Sequence, residues 1–89
     1  MIERQVPVIN PLGLHARAAA RFVHLSGQFA SSIRVGRGSR VVDGKSILGL
    51  LLLAAARGTT LMIRADGADE AAAIDALEAF AARGFDDPL

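Results

Sequence analysis

An α+β sandwich, with three helices on one face of a four-stranded, mainly antiparallel sheet, is the fold class this 89-residue sequence predicts. Three observations lead there. Short segments of alternating apolar residues mark four strands. Alanine-rich segments with helical spacing lie between and after them. A glycine-first, two-residue turn joins the middle pair of strands. The resulting order is β-α-β-β-α-β-α, in one domain spanning 1–89.

The first strand is predicted over Gln5–Ile9, with Val6 and Val8 on one face. Pro7 cannot donate to a ladder, so this strand belongs at a sheet edge. Asn10-Pro11-Leu12-Gly13 is turn chemistry. From His15 to about Gly27 the spacing is helical, with Ala19, Phe22, Val23 and Ser26 on one face and Gly27 as the stop. A helix-length connection makes the first and second strands parallel. Ile33 and Val35 mark the second strand, Gly38-Ser39 the hairpin turn, and Arg40–Asp43 the third strand. Ser46 is placed to cap a short helix over about 47–53. Leu61, Ile63 and Ala65 mark the fourth strand. Asp69 is placed to cap a last helix whose buried stripe is Ile74, Leu77 and Ala81, with Gly84 as its stop.

Composition removes several function classes. The chain contains no cysteine, which excludes disulfides, thiol nucleophiles and thiolate metal sites. Its net charge of +1 lacks the strong basic patch that nucleic-acid binding normally needs. The apolar run Ile47–Ala56 is about half the ~20 residues that span a bilayer, so no membrane insertion is expected. Met1–Gln5 offers no apolar stretch of signal-peptide length, so the expected location is cytoplasmic.

The informative stretch is Leu12-Gly13-Leu14-His15-Ala16-Arg17-Ala18-Ala19. A histidine sits where a turn becomes a helix, and an arginine follows two residues later. A helix start carries unpaired N–H groups and a partial positive charge, which together form an anion site. That positive end disfavours imidazolium, and the neutral ring is the nucleophilic form. Arg17 is placed to neutralise a phosphoryl group. The chemistry suggested is phosphoryl transfer to and from His15; the alternative is that His15 is a cap or an ordinary surface residue.

This segment resembles the active-site segment of the HPr family, the histidine-containing phosphocarriers of the phosphoenolpyruvate-dependent phosphotransferase system. Lys45-Ser46-Ile47-Leu48-Gly49-Leu50 is similar to that family's second helix, and Ala65-Asp66-Gly67-Ala68-Asp69-Glu70 to the start of its last helix. The resemblance implies the HPr-like open-faced sandwich. It implies that His15 accepts a phosphoryl group on Nδ1 from enzyme I and passes it to an EIIA domain. Ala16 and Arg17 would then hold the group at the helix start. Ser46 matches the site acted on by an HPr kinase/phosphorylase in some bacteria. The implied partner surface is Ala16, Arg17, Ala20, Arg21 and His24 with Ile47, Leu48 and Leu51. No cofactor or metal is implied, and a monomer is expected. Ala18 departs from the family's usual proline, and altered transfer rates are expected from it. The Gly84-Phe85-Asp86-Asp87 ending is similar to the nitrogen-branch carriers, called NPr, and to HPr proteins of some proteobacteria.

Other features read more plainly. Gly44-Lys45-Ser46 resembles the end of a phosphate-binding loop, but Ser39 stands where that motif needs glycine, which leaves a helix cap. His24 falls on a different part of the helix from His15, so no shared metal is expected. A small acylphosphatase-like hydrolase would need a glycine-rich phosphate loop near the first strand, and none is found. An RNA-binding sheet would expose aromatic residues, and the chain has no Trp or Tyr.

Overall fold

The computed structural model describes residues 1–88. Its elements are β1 (Ile2–Pro7), α1 (Ala16–Ser26), β2 (Ser32–Arg37), β3 (Arg40–Asp43), α2 (Ile47–Leu52), β4 (Thr60–Asp66) and α3 (Glu70–Ala82), followed by a 3-10 turn, Gly84–Asp86. One antiparallel sheet has the order β1-β4-β2-β3. The predicted α+β sandwich is therefore the observed fold.

β4 lies inside the sheet, and its alternation is complete. Leu61, Ile63 and Ala65 are buried, while Thr60 and Asp66 at its ends are exposed. Residues of the buried set pair in register with Val6 on β1 and with Ile33 and Val35 on β2. The helices cover that face through Phe22 of α1, Leu50 of α2, and Ile74, Leu77 and Phe80 of α3. Each such fully buried side chain contributes about 1.5–3 kcal/mol. The other face carries Glu3, Arg64, Arg34 and Asp43 in one register row and is open.

Several boundaries and roles differ from the sequence reading. β1 starts at Ile2 rather than Gln5 and ends at Pro7, because β4 supplies partners for Ile2 through Pro7. Pro7 lies on an edge strand, as its missing N–H requires. β1 and β2 do run in the same direction, but β4 is inserted between them and they never pair. Gly27 ends α1 at φ −65°, so its stop uses none of glycine's extra freedom. Asp69 makes no capping hydrogen bond to α3. Its carboxylate instead accepts from the amides of Ala30 (2.8 Å) and Ser31 (2.9 Å) and from the Ser31 hydroxyl. Those bonds, the Ser31 hydroxyl's first, hold it below the ordinary aspartate value. Asp69 thus ties the loop after α1 to the start of α3.

The chain beyond α3 turns back sharply. Gly84, Phe85 and Asp86 all lie in the left-handed region, at φ 66°, 56° and 58°. For the two non-glycine residues this costs on the order of 1–3 kcal/mol each. Phe85 offsets part of that cost by burial, with its ring 5.6 Å from that of Phe80.

Candidate functional site

The turn before α1 positions the histidine. Gly13 adopts φ +65°, and a Cβ there would meet the Ala55 carbonyl oxygen at 2.4 Å. The Leu14 amide donates to that same oxygen at 2.9 Å, which ties the turn to the chain after α2. Only glycine fits both the conformation and the approach. The Gly13 amide donates to the Asn10 carbonyl (3.1 Å), and the Asn10 Nδ2 donates to the Gly13 carbonyl (2.8 Å). The turn is rigid because Asn10 closes it from both ends.

His15 is the N-cap of α1, in extended conformation. Its Nδ1 accepts from the Arg17 amide at 3.3 Å, an unusual case of an imidazole serving as the cap acceptor. The amides of Ala16 and Ala18 are among the donors that a helix start leaves without intrahelical partners. Nδ1 therefore faces the electropositive end of the helix. The Arg17 side chain is exposed beside it.

The opposite ring nitrogen meets a residue the sequence reading did not single out. Nε2 of His15 is hydrogen-bonded to Oδ2 of Asp87. The same carboxylate accepts from Arg21 Nη1 at 2.7 Å and from Asn10 Nδ2 at 2.9 Å. Arg21 also donates to the Phe85 carbonyl at 3.2 Å. Asp87 has a side chain only 2% exposed, whereas His15 is 21% exposed. Burial pushes the Asp87 carboxyl up, but the hydrogen bonds from His15, Arg21 and Asn10 outweigh it and bring the carboxyl down to about 2. Neither Asn10 nor Asp87 carries a local motif. The one available signal was Phe85, an apolar residue after the helix stop that had to return to the core.

The remaining candidates are distributed around this centre. Ala20 and His24 are exposed on α1, and an open groove of about 460 Å³ borders them together with Arg21 and Phe80. Arg21, read as partner surface, is half-buried and held by the tail. On α2, Ile47, Leu48 and Leu51 are exposed at 42%, 69% and 37%, while Leu50 and Leu53 fill the core. Leu52 adds to this apolar surface. Ser46 caps α2, its Oγ accepting from the Gly49 amide at 3.0 Å.

A family model described as the PTS HPr component phosphorylation site matches residues 2–83. The chain belongs to the HPr family. Phosphocarrier protein HPr of Cupriavidus necator is 47% identical over 85 residues, covering 96% of each chain. Phosphocarrier protein NPr of Shewanella violacea is 40% identical over 86 residues, covering 97% of this chain and 94% of its own. An HPr crystal structure from Thermoanaerobacter tengcongensis superposes with a TM-score of 0.95 at 37% identity, over the full length of both chains. HPr-family proteins are phosphocarriers of the phosphotransferase system, acting as carriers rather than catalysts. Among the described residues no helix is long and apolar enough to cross a membrane.

Proposed function

We propose that this chain carries a phosphoryl group on Nδ1 of His15, taking it from phospho-enzyme I and giving it to an EIIA domain in the cytoplasm, as a monomer. The observation that carries this reading is the cap geometry: Nδ1 already accepts a hydrogen bond from the Arg17 amide at the start of α1. A phosphoryl group on that nitrogen enters the electropositive end of the helix, where amides of the first turn receive its oxygens. The exposed Arg17 guanidinium supplies a second source of positive charge. Ala18 adds an N–H where the family's usual proline has none, which alters the turn without removing either donor.

The exposed leucine and isoleucine side chains of α2, with Ala20 and His24, form the surface for enzyme I and the EIIA domain. Ser46 borders it. Phosphorylation of Ser46 by an HPr kinase/phosphorylase adds about −2 charge there and weakens docking to an acidic partner. A Ser46→Asp variant that is phosphorylated by enzyme I as fast as the wild type removes this regulatory role. The greater identity to the HPr-named relative than to the NPr-named one, 47% against 40%, favours the general carrier over the nitrogen-branch regulator.

A relay assay tests the reading. Phosphorylated chain, freed of enzyme I, is mixed with an EIIA domain. Movement of the label to that domain is expected. Continuous release of inorganic phosphate without a partner would instead mark a hydrolase.

A further inference from the structure

The inference concerns Asp87 and rests on the reading of His15 as the phosphoryl acceptor. A neutral imidazole has one N–H and one lone pair. An ionised carboxylate only accepts, so the Asp87 oxygen against Nε2 calls for the proton on Nε2. A backbone amide only donates, so the Arg17 N–H at Nδ1 calls for the lone pair there. Two independent hydrogen bonds select the same tautomer. It is the one that leaves Nδ1 nucleophilic at the helix start.

We propose that Asp87 is the positioning residue of the transfer: its carboxylate holds His15 with the proton on Nε2 and stabilises the positive charge the ring gains on phosphorylation. In the step, the Nδ1 lone pair forms the N–P bond. The bond between phosphorus and the donor group breaks, and its electron pair leaves with the donor. The ring becomes an imidazolium that retains its Nε2 proton, so no proton has to move. Asp87 already carries the opposing charge against that N–H. When the group moves on, the N–P electrons return to Nδ1 and the ring is neutral again.

Asp87 is built for this task. Arg21 and Asn10 occupy its remaining acceptor positions, and with 2% of the side chain exposed little water competes for them. Consecutive left-handed residues, Phe85 and Asp86, turn the chain so that the carboxylate reaches under α1. A buried carboxylate on the far nitrogen of a nucleophilic or basic imidazole is a known way to set tautomer and steady the ring cation.

The test uses the full chain with its imidazoles labelled with ¹⁵N, as wild type, Asp87→Asn and Asp87→Glu. Nitrogen chemical shifts report the tautomer of His15, and transfer kinetics with enzyme I report kcat and KM. The wild type is expected to carry its proton on Nε2. Asp87→Asn is expected to mix the tautomers and lower kcat by at least about tenfold, with KM within about twofold. Asp87→Glu is expected to restore part of kcat. A wild-type ring with its proton on Nδ1 overturns the proposal whatever the variants do. Unchanged tautomer and kcat in Asp87→Asn overturn it equally. A wild type that takes up no phosphoryl group defeats the underlying reading of His15 instead.

Discussion

Asp87 and His15 stand 72 residues apart in the chain and share a hydrogen bond in the fold. The contact joins the end of the protein to the start of its first helix, and it depends on charge. Asp87 has an ordinary value of 3.8, lowered to about 2 in the fold. Its contribution to stability is therefore complete above about 3.8 and is lost as pH falls through about 2. Asp87→Asn is expected to cost about 1–3 kcal/mol at neutral pH, the range for removing a hydrogen-bonded charged partner. Denaturant unfolding should show the gap between wild type and variant narrowing as pH is lowered from about 4 to about 2. A gap independent of pH would contradict the assignment.

Gly13 is the tightest point of the site. Gly13→Ala combines a left-handed alanine with a clash against the Ala55 carbonyl. The expected loss is about 2 kcal/mol or more, measured by urea unfolding. A near-neutral result would mean that the turn relaxes and that its contact with Ala55 does not constrain His15.

Ala54 offers the opposite experiment. It holds φ +49° without being glycine. Ala54→Gly relieves that strain at a modest cost in unfolded-chain entropy, and a net gain of about 0.5–1 kcal/mol is expected. Thermal unfolding checks it; a lower melting temperature would show that the alanine side chain contributes more than its conformation costs.

Leu48 separates docking from folding. At 69% exposed it adds little to the core, so Leu48→Asp should change stability by no more than about 0.5 kcal/mol. The KM for enzyme I is expected to rise about tenfold, the effect of losing one strong interface contact. An unchanged KM would remove α2 from the docking surface.

The comparison of sequence with fold separates local from distant information. Pro7 on the edge strand, the Gly38 turn, the Ser46 cap and the alternation of Leu61, Ile63 and Ala65 are local signals, and each is realised. His15 at a helix start was equally readable, because turn residues and helical spacing meet there. The sheet order was not, since nothing in β1 or β2 reports that β4 lies between them. Asp69 occupies the predicted cap position but binds the Ala30–Ser31 loop, a partner 38 to 39 residues away. The pairing of Asn10 and Asp87 with His15 likewise arises only when the tail folds back, and no spacing rule encodes it.

The central claim is that His15 accepts the phosphoryl group. Intact-mass spectrometry after incubation with enzyme I and phosphoenolpyruvate tests it most directly, on wild type and His15→Ala, with a control carrier to show that enzyme I is active. The account predicts one acid-labile phosphoryl adduct on the wild type and none on the variant. An adduct that persists in His15→Ala, or a wild type left unmodified while the control is phosphorylated, would contradict it.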